Sequence, residues 1–129
     1  MTGGDTPRGP HTNFVSTLIN AVLVAADEKL GRDSVALDLR ELVDSFDALV
    51  LVSGRNDRQV RAIAEEVERL VELALDVKPV RVEGWASAEW IALDYGDVIV
   101  HVFDEVAREY YDLEHLWSAA PAHRLQPVR

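Results

Sequence analysis

The hydrophobic pattern of this chain switches repeatedly between helical and strand spacing, and that leaves few folds open. Phe14, Leu18, Ala21, Val22, Ala25 and Ala26 recur at offsets of three and four. Thr12 or Asn13 can cap that helix and Gly31 can end it. Val35–Arg40 alternates apolar and polar residues, as a half-buried strand does. Ala48–Val52 is a short continuous apolar run, which suits a strand covered on both faces. Asn56 then caps a second helix carrying Val60, Ile63, Ala64, Val67, Leu70, Val71 and Ala74. Val80–Glu83, Trp90–Leu93 and Val98–Phe103 read as three more strands. Val106, Tyr110, Leu113 and Trp117 mark the stripe of a final helix. The order α-β-β-α-β-β-β-α predicts one α/β domain, a five-stranded mixed sheet with three helices. The last three strands, closely connected, are expected to be antiparallel neighbours. The connection from the second strand through its helix is expected to make a parallel crossover.

The ends carry little to bury. Residues 1–12 contain Gly3, Gly4, Pro7, Gly9 and Pro10 and read as a disordered tail. Residues 118–129, with Pro121 and Pro127, read as a second, flexible tail, leaving 13–117 as the domain. A chain of 129 residues buries roughly two thirds of its unfolded surface, enough for one core. Cysteine is absent, which excludes disulfides, thiolate metal sites and cysteine nucleophiles. The longest apolar run, Ala21–Ala26, is far below the ~20 residues of a membrane span. The opening Met-Thr-Gly-Gly-Asp lacks the basic start and apolar stretch of a signal peptide, so the default location is cytoplasmic.

Charge narrows the partners. Thirteen Lys and Arg against 23 Asp and Glu give a net charge of −10, which works against direct nucleic-acid binding. The segment 79–117 holds Glu83, Glu89, Asp94, Asp97, Asp104, Glu105, Glu109, Asp112 and Glu114 against only Arg81 and Arg108. Such a half suits a basic partner.

Catalytic chemistry finds little support. Ser53-Gly54-Arg55-Asn56 lies where a strand passes into a helix, and backbone N–H groups there can bind an anion. The segment matches neither a P-loop nor Gly-x-Gly-x-x-Gly, so a plain capped turn is the better reading. Asp94 and Asp97 flank Tyr95-Gly96; across a two-residue loop they face each other, an arrangement that a cation or a partner's Arg or Lys would relieve. Two carboxylates fall short of a metal ligand set, so no metal and no cofactor are expected. There is no nucleophile elbow, and His101 is the one histidine in a strand, where a structural role suits it best.

The hairpin says more about surfaces. With Tyr95-Gly96 as its loop, one face holds Ile91, Leu93, Val98 and Val100, a core face. The other holds Trp90, Ala92, Ile99 and His101, edged by Asp94, Tyr95 and Asp97. Three helices do not cover both faces of five strands, so this aromatic, acid-edged face is the candidate partner-binding site. Tyr110, Tyr111 and Trp117 offer more aromatic area than one stripe needs and are candidates for a homodimer contact.

From about Asn13 to Trp117 the chain resembles the ribosomal silencing factor, or Iojap-like, family. The residues that carry the resemblance are Ala36-Leu37-Asp38-Leu39, Ser53-Gly54 with Val60-Arg61-Ala62-Ile63-Ala64, Val82-Glu83-Gly84, the run from Ser87 to Phe103, and the run from Tyr110 to Trp117. The resemblance implies a nucleotidyltransferase-like fold, homodimers, and binding to the large ribosomal subunit through large-subunit ribosomal protein fourteen, a basic protein. Binding there would block joining with the small subunit and so repress translation; organellar relatives assist large-subunit assembly. Two departures matter. No Asp-x-Asp follows Ser53-Gly54, which leaves an active nucleotidyltransferase without its metal carboxylates. Arg55-Asn56-Asp57 also stands where small Ser or Thr residues are usual in the family. A non-enzyme is therefore expected. A divergent metal-dependent nucleotidyltransferase using Asp94 and Asp97, and a large-subunit assembly factor, are the alternatives.

Overall fold

The computed structural model describes residues 11–124 and Pro127. Helix α1 (Asn13–Glu28) begins at Thr12, whose hydroxyl accepts from the Val15 N–H at 3.3 Å. Strands β1 (Arg32–Asp38) and β2 (Ala48–Gly54) follow, and then α2 (Asp57–Leu75), capped by the Asn56 side chain on the Gln59 N–H. Strands β3 (Arg81–Glu83), β4 (Trp90–Asp94) and β5 (Val98–Asp104) come next. Helix α3 (Glu105–Tyr111), the one-turn helix α4 (Leu113–Leu116) and strand β6 (Ala122–Arg124) complete the order.

The sheet has six strands, in the order β3-β4-β5-β2-β1-β6, rather than the five expected. The sixth comes from the segment expected to be a flexible tail: Ala122–Arg124 pairs antiparallel with Val35–Leu37 of β1. Its three residues are exposed, so no burial pattern announces it; backbone pairing to an available edge makes it a strand. The rest of the expected N-terminal tail, residues 1–10, and residues 125, 126, 128 and 129 lie outside the described residues.

β2 and β5 are parallel neighbours, and β5-β4-β3 is the antiparallel meander expected from the short connections. β3 thus runs parallel to β2 with two strands between them. Every residue of β2 is buried, as its unbroken apolar run predicts. Helices α1 and α2 cover one face, over a core that includes Leu18, Val22, Val50, Ile63, Val67, Ile91, Leu93 and Val100. The opposite face packs Val35, Leu37, Leu39, Leu49, Leu51 and Phe103 under Ala107, Leu113 and Trp117, with Val43 and Phe46 of the β1–β2 connection and Ala120 packed into the same cluster. β1 therefore buries side chains on both faces, against the half-buried strand expected.

The final helix is two pieces. Asp112 adopts φ +46°, which an Asp tolerates better than most residues, and its side chain then accepts from the His115 N–H to start α4. The break turns the expected stripe. Leu113 and Trp117 pack on the sheet, whereas Val106 and Tyr110 are 79% and 80% exposed, and Ala107 and Arg108 take the inward positions.

Candidate protein-binding site

The hairpin register differs from the expected one by two residues. Trp90 pairs with Phe103, Ala92 with His101 and Asp94 with Ile99. Tyr95 closes the hairpin, its N–H donating to the Val98 carbonyl at 2.9 Å, so Gly96 and Asp97 form the turn rather than Tyr95 and Gly96. Gly96 takes φ +86°, which a two-residue hairpin turn favours. A two-residue shift preserves side-chain parity, so the two faces are those expected. Trp90, Ala92, Asp94, Ile99 and His101 do share one face, and Phe103 joins them.

Other expectations change with the register. Asp94 and Asp97 do not oppose each other. The Asp94 carboxylate accepts from the Gly96 N–H at 2.8 Å, and the Asp94 backbone lies opposite Arg81 of β3, whose guanidinium is paired with Glu83. Asp97 is exposed, and its carbonyl accepts from Asp47 and Ala48 N–H groups at the start of β2. Tyr95 leaves the partner face: its ring is buried in the core beneath α1 and α2, and burial raises its pKa. Its hydroxyl is buried without a hydrogen-bond partner. Trp117 packs half-buried into the second core, which removes most of its area from any dimer surface. Tyr110 and Tyr111 remain exposed.

The centre of the face is an aromatic cluster. The Trp90 indole stacks on Phe103 at a 4.9 Å centroid distance and meets Tyr111 at 4.8 Å; Tyr110 lies edge-on to Tyr111 at 5.0 Å. Trp90 Nε1 donates to His101 Nδ1 at 2.8 Å. An accepting Nδ1 carries no proton, so the neutral ring holds its proton on Nε2. Burial pushes the His101 pKa down to about 4, which favours that neutral form. Trp90, Ala92 and Ile99 are only half-buried, because α3 and α4 stop short of the β4 side of the sheet.

Several residues fix this cluster in place. Gly84 has φ +84°, and a Cβ on it would lie 1.9 Å from the Trp90 carbonyl oxygen, so only glycine lets the 84–89 loop cross there. The Arg61 guanidinium donates to the Trp85 carbonyl at 3.1 Å and to the Ala86 carbonyl, tying that loop to α2. Arg108, buried, donates to Ser53 Oγ at 2.9 Å and to Glu114 Oε1 at 3.1 Å, holding the α3–α4 corner that carries Tyr111 over Trp90. An open cleft of about 440 Å³ lies beside this corner, bordered by Ser53, Arg108, Glu105, Glu109, Asp112 and Glu114. The sequence reading missed Phe103 and Arg108. Parity alone could have revealed Phe103, which falls on the face of Ile99 and His101 in either register; only the observed register sets it opposite Trp90. Arg108 carries no local signal, because its partners lie 55 residues back and six residues on.

The anion site considered at Ser53–Asn56 is filled by the chain itself. Asn56 Oδ1 accepts from the Gln59 N–H, Gln59 Oε1 from the Arg55 N–H, and Asp57 Oδ1 from the Arg58 N–H. Among the described residues no group of three His, Asp or Glu side chains stands where it could hold a metal ion.

These features define a class: an α/β domain that presents a preformed, half-covered aromatic face with an acidic margin. The sequence profile described as "Ribosomal silencing factor during starvation" matches residues 12–129. The chain is 38% identical over 106 residues to the "Ribosomal silencing factor RsfS" of Bacillus subtilis, covering 81% of this chain and 88% of that protein. A crystal structure of a Chromobacterium violaceum protein superimposes with a TM-score of 0.77 at 35% identity, over 81% of this chain and 86% of that one. A more distant match, 30% identical over 89 residues, is the mouse "Mitochondrial assembly of ribosomal large subunit protein 1"; it covers 67% of this chain and 39% of that protein. The chain belongs to the ribosomal silencing factor family.

Proposed function

We propose that this protein binds the large ribosomal subunit and represses translation by blocking its joining with the small subunit. The partner is large-subunit ribosomal protein fourteen, and the docking face is that of Trp90, Ala92, Ile99 and His101, with Asp94 and Asp97 at its turn end. The observation that carries the reading is the half-buried Trp90, stacked on Phe103 and met at a tilt by the exposed Tyr111, in an acidic region of the chain. A rigid aromatic on an incompletely covered face is the usual anchor of a protein interface, and carboxylates around it select a basic partner. Blockade needs only affinity and position, so a nucleotidyltransferase-like scaffold without its catalytic carboxylates suffices, acting in the cytoplasm without metal or cofactor. The free protein is a homodimer through the same region, with Tyr110 and Tyr111 in the contact, so that dimer and ribosome compete.

Co-sedimentation tests this directly. The protein should travel with free large subunits, be absent from joined ribosomes, and lower the yield of joined particles when added first. Equal binding to joined ribosomes would overturn the blockade. The mouse relative's name favours a second reading, a role in large-subunit assembly. That reading requires large-subunit precursors to accumulate when the protein is depleted.

A further inference from the structure

β3 is an outer strand of the sheet, and among the described residues nothing pairs with its far side. Such an edge presents unpaired backbone N–H and C=O groups, a template for one more strand. Proteins blunt these edges with charge or brevity. β3 is short and exposed, with Arg81 and Glu83 on either side of Val82. Because the two charges are opposite in sign, the strand is complementary to its own reverse. The other outer strand, β6, reads Ala122-His123-Arg124 and has no such match.

An antiparallel two-fold pairing centred on Val82 sets Val82 against Val82 of a second copy. Arg81 then faces the second copy's Glu83, and Glu83 its Arg81. Centring on Arg81 or on Glu83 puts two like charges face to face. A slip of one residue turns the faces of the two sheets to opposite sides. Charge and parity therefore select one register. Within each copy the Arg81 guanidinium already lies 3.6 Å from the Glu83 carboxylate, both well exposed, so the pairing arranges four charges of alternating sign around the axis. Asp94, opposite Arg81 on β4, has its carboxylate held by the Gly96 N–H. Val80 and Val82, 77% and 38% exposed, add apolar area at the same edge.

The edge also borders the docking face, since Arg81 and Glu83 stand on the side of Asp94 and Ala92. Pairing two edges lays two docking faces side by side, their β4 strands three spacings or about 14 Å apart. A small folded domain spans about 30 Å, so one seated on either face overlaps the second copy.

We infer that two copies of this chain join through β3, antiparallel about Val82, into one continuous sheet that a protein docking on Trp90 must split. This rests on the homodimer of the proposed function and names the contact that forms it. Three residues a side make a small interface, one that forms at high protein concentration and yields to a better partner.

The chain has no cysteine, so a single introduced thiol reports on one position. Val82→Cys places two thiols at the axis, where facing Cα atoms lie about 4.5–5.5 Å apart, within disulfide reach. Mild oxidation should convert most of this variant to covalent dimer, and saturating large subunits added first should suppress it. Leu73→Cys, 72% exposed on α2, should stay uncrosslinked. In sedimentation velocity, Arg81→Glu should raise the dimer dissociation constant about tenfold, because both cross pairs become like-charged. Adding Glu83→Arg restores opposite charges and should return the wild-type value; circular dichroism checks that each variant is folded. A wild-type dimer indifferent to Arg81→Glu, a double variant left as weak as the single one, or equal crosslinking from Leu73→Cys overturns the inference while the homodimer stands. A wild type that stays monomeric at high micromolar concentration overturns both. Crosslinking that persists on saturated subunits overturns the splitting, and failure to sediment with large subunits overturns the proposed function whatever the state of the dimer.

Discussion

The indole N–H of Trp90 and Nδ1 of His101 lie 2.8 Å apart, on adjacent strands and offset by two residues in the register. The bond orients the half-buried anchor and requires a neutral imidazole, since a protonated ring would turn its acceptor into a second donor.

That requirement sets a pH dependence. Burial lowers the His101 pKa from 6.5 to about 4 in the folded protein. Above about pH 6.5 both folded and unfolded states hold a neutral ring, and the group adds no pH dependence. As pH falls below that, the unfolded chain takes up the proton first and stability drops, levelling off once pH passes below about 4. The loss should approach about 3 kcal/mol. Urea melts of wild type and His101→Asn between pH 7 and 4 measure it as the difference between the two curves. The Arg69 guanidinium holds the Glu66 pKa at about 2, so stability from that pair persists above the ordinary carboxylate range and is lost only as pH falls further. A difference curve that stays flat would contradict the Trp90–His101 arrangement.

Trp90→Ala should destabilise the free protein by about 2–3 kcal/mol, because the ring is half-buried against Phe103 and its loss strands His101 Nδ1. It should also remove large-subunit binding. Trp90→Phe keeps the stacking without the N–H and provides the folded control. Calorimetry and co-sedimentation on the same samples separate the two effects. Full binding by Trp90→Ala would exclude it as the anchor.

Gly84→Ala introduces a Cβ 1.9 Å from the Trp90 carbonyl at a positive φ. The expected cost is about 2–4 kcal/mol. The shifted loop should also move Trp90 fluorescence, read against the same variant in a Trp85→Phe background. A melting temperature within a degree of wild type would mean the loop relaxes freely.

Tyr95→Phe removes a buried hydroxyl that has no partner. Stability should rise by about 1 kcal/mol, and subunit binding should not change, because Tyr95 lies beneath the helices. A weakened interaction with subunits would return Tyr95 to the docking face, where the sequence reading had placed it.

The sequence by itself determined the elements whose signal is local. The unbroken run of β2, the stripe of α2 with its Asn56 cap, and the alternation through β4 and β5 each follow from side chains that repeat at a fixed period. The division of Trp90, Ala92, Ile99 and His101 from Ile91, Leu93 and Val98 followed from parity, which survived an error of two residues in the register. What only the tertiary structure decided depends on partners distant in sequence. β6 is a strand because β1 offered an edge. Arg108 is buried because Ser53 and Glu114 are there to receive it. Tyr95 is inside because the hairpin closes one residue later than two facing aspartates suggested. Trp90 is anchored yet only half-buried because α3 breaks at Asp112, which brings Tyr111 to its edge and leaves the β4 side of the sheet partly uncovered. Period specifies which side of a strand a residue takes, but only the docking of other elements decides whether that side meets water.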